Sequence, residues 1–237
     1  EIKECDWSSD VCSSDLNSYA AEFIGTSVLT TAVIGSGISA VQLTDNGGLA
    51  LLINAIATVL TLGLIIALLQ PISGAHFNPA VSLIAFVNKQ MNLKALLLMI
   101  LAQITGAVFG AVLANTMFNR TLVELSETTR TGSSLLIGEV VATAGLIFAI
   151  LMAIYNNKPQ TLNWVVPLWI GGAYFFTSSS SFANPAVTIG RSLSNTFAGI
   201  EPACLRLYLV ETYRTRRDTG DPRCSVSCRR ASRQSNS

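Results

Sequence analysis

Charge is what this chain has least of. Asp, Glu, Lys and Arg make up 12% of its 237 residues, half of the residues are hydrophobic, and the mean hydropathy is +0.50. An ordinary soluble domain carries roughly a quarter charged residues, so this composition points to lipid. The charges are also uneven: most of the arginines lie after Ile200, and very few charges fall between Tyr19 and Ile200. The net charge of +1 averages these unlike parts and says nothing about nucleic acid or acidic partners; no nucleic-acid partner is expected. Histidine occurs once, at His76, and one imidazole cannot build a metal site. No cluster of nucleophile, base and metal ligands is present, which argues against an enzyme and gives no cofactor to expect.

What is abundant is long apolar sequence. About 20 mostly apolar residues are needed to carry a helix across roughly 30 Å of hydrocarbon. Five segments qualify, near 19–43, 48–70, 93–118, 133–155 and 162–177. Their Gly and Ala content suits close helix contact in a bilayer. The helical bundle of a soluble enzyme is a poor alternative for five such stretches.

Two further apolar pieces, FNPAVSLIAFVN and ANPAVTIGRSL, are too short to cross. Each begins with Asn-Pro, the preferred N-cap followed by the residue favoured at the first helical position. A helix of about ten residues covers about 15 Å. It can therefore dip to the midplane only where its exposed end is buried in protein or faces water.

The chain also repeats itself. Glu22 and Thr26 open the first span, and Glu139 and Thr143 sit early in the fourth, each pair four apart on one helix face. Each pair is followed by a further span and then by Asn-Pro-Ala-Val: Asn78, Pro79 and Ala80 in one copy, Asn184, Pro185 and Ala186 in the other. Span, span, half-helix, span, written twice, is the sequence form of an inverted-repeat membrane fold whose broken segments mark the conduction site. Repeat one runs about 19–118 and repeat two about 133–203. An intramembrane carboxylate is a functional candidate by default. Here the structural reading is preferred, with Glu22 and Glu139 accepting hydrogen bonds from the loops that carry the half-helices.

The paired motifs SGAHFNPAVS and SFANPAVTIGRS, with Ala102-Gln103 in the third span, resemble those of the major intrinsic protein family, the aquaporins and aquaglyceroporins. The resemblance covers Tyr19 to about Ala203. It implies that two half-helices meet tip to tip at mid-membrane, that the amides of Asn78 and Asn184 face a pore as donors, and that cations are disfavoured there. It further implies a pore wall of backbone carbonyls at Gly74, Ala75 and His76 and at Ser179, Ser180 and Ser181, with His76 at the inner vestibule and Gln103 in a structural role. A homotetramer in a bilayer is the family expectation.

Water-selective members narrow the outer mouth with four side chains, one of them an Arg three residues after the second Asn. The same offsets here give Val187, Ser181, Gly172 and Thr58, none of them large or charged. A mouth without guanidinium or ring should admit uncharged molecules larger than water. The expected substrates are small neutral polyols such as glycerol, metalloid hydroxides such as arsenous acid, and water. The run NPAVTIGRSLSNTFAGI is also similar to a bacterial subgroup associated with arsenic resistance, which places the expected site of action in a bacterial inner membrane. Arg191, four residues beyond Val187, either lines the outer vestibule or snorkels to the interface.

The ends fit less well. Residues 6–16, DWSSDVCSSDL, resemble a translated sequencing-library adapter and have no apolar core for a signal peptide. The leader, 1–18, is therefore expected to be non-native or disordered. After AGIEPA the family's sixth span should begin, yet 204–237 is a basic stretch with no apolar run of membrane length. Lys89, Lys94 and Lys158 mark one side as cytoplasmic, and five spans would leave the tail arginines outside, against the positive-inside rule. The expectation is a fragment whose reading frame is lost near Ala203, with the sixth span missing.

The sequence thus predicts an all-α membrane protein with an aquaporin-like inverted repeat, five spanning helices and two half-helices, acting as a channel for small neutral solutes. A water-selective channel is the alternative. A membrane-bound metal sensor using Cys204, Cys224 and Cys228 of the tail is a third reading of another class.

Overall fold

The computed structural model describes residues 11–204. These form α1 (Val11–Leu43), α2 (Gly47–Ser73), α3 (Pro79–Val87), α4 (Leu93–Met117), α5 (Ser133–Tyr155), α6 (Leu162–Phe176) and α7 (Pro185–Arg191). Residues 205–237, where the sixth span is expected to be missing and where Cys224 and Cys228 fall, lie outside the described residues.

Four helices, α1, α2, α4 and α5, are long and apolar enough to cross a membrane. The fifth expected span, 162–177, forms α6 to within one residue of those bounds. α6 has 15 residues, about 22 Å of helix at 1.5 Å per residue. It is entered from a 3-10 turn at Pro159–Thr161, and the chain becomes extended at Thr177, with ψ 146°. The N-terminal boundary also moves: helix α1 already begins at Val11, so part of the expected leader is helical, and Ser18 donates to the carbonyl of Ile72 at 2.9 Å.

The pattern of burial is inside-out relative to a soluble bundle. On α2 the covered face is Ala50, Asn54, Ala55 and Thr58, while Leu60, Leu64 and Leu68 are exposed. Such large apolar faces are tolerated where lipid is the solvent. Several polar side chains turn inward and find partners there. Asn54 donates to the Val33 carbonyl at 2.7 Å and to Ser36 Oγ at 2.9 Å, tying α2 to α1.

α1 packs on α2 and α4, α2 on α6, α5 on α6, and α4 on α7. Small residues set these distances. Gly106 and Gly110 of α4 lie directly against the backbone carbonyls of Phe23 and Ser27, and Gly190 of α7 lies against the carbonyl of Ala107. A side chain at any of the three would collide with main chain. α4 therefore serves as the spine on which α1 and the second half-helix are both seated.

Candidate functional site

Asn78 and Asn184 both adopt extended backbone (φ −154° and −150°), accept hydrogen bonds from the first-turn N–H groups through their side-chain oxygens, and precede Pro79 and Pro185 at the first helical position. The acceptor bonds are Ala80 N to Asn78 Oδ1 at 2.9 Å and Ala186 N to Asn184 Oδ1 at 3.1 Å, with Val187 N at 3.3 Å to the same oxygen. Each amide nitrogen reaches the other repeat. Asn78 Nδ2 donates to the carbonyl of Ala183, and Asn184 Nδ2 to the carbonyl of Phe77, both at 2.7 Å. The two half-helix tips therefore meet and are cross-bonded.

The loops leading to the tips repeat one backbone conformation. Gly74, Ala75 and Phe77 have φ of 84°, 53° and 48°; Ser180, Ser181 and Ala183 have 58°, 49° and 44°. These are the positions four, three and one before each Asn. Left-handed backbone costs about 1–2 kcal/mol per non-glycine residue, so something must hold it. Glu22 and Glu139 do so from corresponding places on α1 and α5. Glu22 is fully buried and accepts from His76 N and Ser73 Oγ through Oε1 (2.9 and 2.7 Å), and from Phe77 N and Gln103 Nε2 through Oε2 (both 2.7 Å). Glu139 accepts from Phe182 N and Ala183 N, one on each oxygen, both at 2.8 Å. Gln103 also donates to Ser82 Oγ at 2.9 Å, and Ser82 pairs with His76 Nδ1 at 3.0 Å. The two glutamates and Gln103 thus tie α1, α5 and α4 to the loops that precede the half-helices and to α3.

A cavity of about 130 Å³ runs past the crossed tips. Its wall includes Asn78, Asn184, Gly74, Ala75, His76, Ser181, Thr58, Val187 and Arg191. The hydroxyl oxygen of Ser181 is buried with no hydrogen-bond partner among the described residues. Pro79, Ala80, Pro185 and Ala186 lie outside the wall; they shape the first turns instead.

The placements of Gly172 and of Ser179 and Ser180 differ from expectation. Gly172 is exposed and off the wall, which Val166, Ile170 and Tyr174 of the same helix line at steps of four. Gly172 falls on the opposite face of α6, and the buried ring of Tyr174 takes the place expected of it, its hydroxyl 3.3 Å from Thr58 Oγ1. Ser179 and Ser180 are also outside the wall: Ser179 is buried against Gly138 of α5, and its hydroxyl accepts from Ser181 N at 3.3 Å. Arg191 does not snorkel. It is 4% exposed, lies over the Phe182 ring with its guanidinium carbon 3.7 Å from the centroid, and donates through Nε to the carbonyl of Ala198. Cys204, one of the three thiols of the sensor reading, is buried with Phe182 and Ile200.

Sequence reasoning missed Ser73, Ser82 and Tyr174. The signal was there for Ser82, a polar residue on the apolar face of a half-helix, and for Tyr174, a phenol inside an apolar run.

Comparison with known proteins identifies the family. The model described as Major intrinsic protein matches residues 11–182. This chain belongs to the major intrinsic protein family. It is 43% identical over 190 residues to the aquaglyceroporin AqpS of Rhizobium meliloti (strain 1021), covering 80% of this chain and 81% of that protein. It is 32% identical over 188 residues to a probable TIP-type aquaporin of Medicago truncatula, covering 74% of each. The fold is similar to that of the aquaglyceroporin from Plasmodium falciparum, with TM-score 0.58 at 21% identity, over 84% of this chain and 83% of that one. The chain is accordingly a multi-pass membrane channel for small solutes and not an enzyme.

Proposed function

We propose that this channel passes small neutral solutes, namely glycerol-like polyols, metalloid hydroxides such as arsenous acid, and water, across a bacterial inner membrane, as a homotetramer. The observation that carries the reading is Val187 in the cavity wall one turn from the crossed asparagines. At that position a valine supplies no charge and little length, so the neck is set by an aliphatic side chain together with Thr58, Ser181 and Tyr174.

Each Asn amide has two N–H hydrogens. One is engaged on the opposite loop, and the second is available to a solute oxygen. Carbonyls of the left-handed loop residues act as acceptors, so a hydroxylated solute exchanges water for donors and acceptors in turn. An ion has no equivalent exchange, because much of the remaining wall is aliphatic, with Leu29, Val33, Leu62 and Ile66 on it, and desolvating a charge is expensive. The aquaglyceroporin relative supports the polyol reading.

A water-selective channel is the second reading, favoured by Tyr174 and Arg191, which return a ring and a cation to the wall. Swelling assays on proteoliposomes separate the two. The first reading predicts glycerol and arsenite entry into wild-type vesicles, and predicts that Val187→Arg lowers both by about tenfold while water flux falls no more than about twofold. Equal losses for water and glycerol would count against it.

A further inference from the structure

Resting on the reading of the chain as a neutral-solute channel, we propose that the Tyr174 hydroxyl is a hydrogen-bond acceptor of fixed direction in the cavity wall, so that among neutral solutes the channel favours those that donate hydrogen bonds.

The side of the cavity between α2 and α6 is built at steps of four residues, Thr58, Leu62 and Ile66 on one helix and Val166, Ile170 and Tyr174 on the other. Residues four apart share a helix face, so this seam is aliphatic until it ends in two hydroxyls. Thr58 and Tyr174 are 3% and 4% exposed, and their oxygens lie 3.3 Å apart.

A hydroxyl has one hydrogen and two lone pairs. Thr58 Oγ1 donates to the main-chain carbonyl of Asn54 at 2.8 Å. A carbonyl cannot donate, so the hydrogen of Thr58 is already engaged. The contact between the two hydroxyls then has one direction: Tyr174 donates and Thr58 accepts. Asn54 is itself held, because its amide donates to the Val33 carbonyl at 2.7 Å and to Ser36 Oγ at 2.9 Å. The phenol oxygen therefore presents lone pairs to the cavity and no hydrogen.

The other polar side chains of the wall act differently. Asn78 and Asn184 each offer an N–H, and the hydroxyl of Ser181, buried with no hydrogen-bond partner among the described residues, turns to donate or to accept. A solute bearing hydroxyl or NH2 groups meets all of them, accepting from the asparagines and donating to Tyr174. A solute that only accepts is served at the asparagines and leaves the phenol oxygen without a partner on an aliphatic seam, which is unfavourable for a buried polar atom. The favoured class is thus small neutral molecules that both donate and accept.

The test uses the full chain in proteoliposomes. Reswelling is measured with glycerol and urea, which donate, and with trimethylamine N-oxide and dimethyl sulfone, which only accept, each corrected for protein-free vesicles. Thr58→Val keeps the side-chain shape but removes the oxygen to which Tyr174 donates, freeing that hydrogen to turn into the cavity. The ratio of donor to acceptor-only entry should fall by about twofold to tenfold, the range that one hydrogen bond supplies. Tyr174→Phe, which removes the acceptor, should lower the same ratio, and Thr58→Ser, which retains the oxygen, should restore it. An unchanged ratio in either Thr58→Val or Tyr174→Phe overturns the proposal. If Thr58→Val does not reconstitute, Thr58→Ala replaces it with the same two outcomes; failure of Val, Ala and Phe variants alike would assign the pair to packing and also overturn it. A wild-type channel that passes water but neither glycerol nor urea contradicts the polyol reading alone. The proposal is then judged on water, whose flux Tyr174→Phe should lower by about twofold or more, and an unchanged water flux overturns it.

Discussion

Replacing Glu139 tests whether the carboxylates hold the pore loops. Both oxygens are engaged, each by one backbone N–H at 2.8 Å, from Phe182 and Ala183, and both donors are buried. A buried N–H left without a partner costs about 1–3 kcal/mol, so Glu139→Ala strands two of them at about 2–6 kcal/mol. The loss falls on a loop already carrying Ser180, Ser181 and Ala183 at positive φ, and every 1.4 kcal/mol is about tenfold in an equilibrium. The ordered loop would thus lose at least tenfold in population against relaxed alternatives, and with it the contact of Asn78 Nδ2 to the Ala183 carbonyl. Glu139→Gln is the sharper probe, because it keeps the shape and one acceptor but points an N–H at a backbone N–H. Glycerol swelling of proteoliposomes should fall tenfold or more in both variants at equal protein incorporation, with thermal unfolding in detergent lowered by several degrees. Wild-type flux and unfolding temperature in Glu139→Gln would refute the claim that this carboxylate orders the loop.

Tyr174→Phe keeps the ring and removes the hydroxyl paired with Thr58; a neutral hydrogen bond is worth about 0.5–1.5 kcal/mol, so the ratio of glycerol to water flux should change by about twofold to tenfold, read in the same swelling assay. Gly106→Leu sets a side chain against the Phe23 carbonyl, and overpacking of about 1–3 kcal/mol or more should lower the unfolding temperature of the detergent-solubilised protein, whereas Leu97→Ala on the exposed face of α4 should leave it nearly unchanged.

How far the sequence reached shows in two counts, each made across a pore loop. Thr58 was placed by counting back from Asn78; α2 continues to Ser73, so only the four residues 74–77 interrupt the helix, and the side chain fell on the cavity wall. Gly172 was placed by the same arithmetic from Asn184, but α6 stops at Phe176 and the next eight residues form an irregular loop with three left-handed positions. The helical phase is lost across that loop, and the wall position passes to Tyr174. The two asparagines and two glutamates were legible because the repeat states each of them twice, and a polar residue in an apolar helix needs a partner. Arg191 was not, because its inward turn depends on Phe182 and on the Ala198 carbonyl, which lie on either side of α7 and have no periodic relation to it. Ser82 and Ser73, which complete the bonding around Glu22 and Gln103, are ordinary serines in sequence and acquire meaning only when α1, α3 and α4 are brought together.

The central claim is that the cross-bonded asparagine tips bound a path that uncharged molecules cross and ions do not. The most direct measurement is glycerol-driven reswelling of proteoliposomes holding the full chain, recorded with a potential-sensitive dye in the same vesicles. The account predicts reswelling well above that of protein-free vesicles, with no protein-dependent current under a sodium or proton gradient. Reswelling no faster than in protein-free vesicles, or reswelling accompanied by a protein-dependent current, would contradict it.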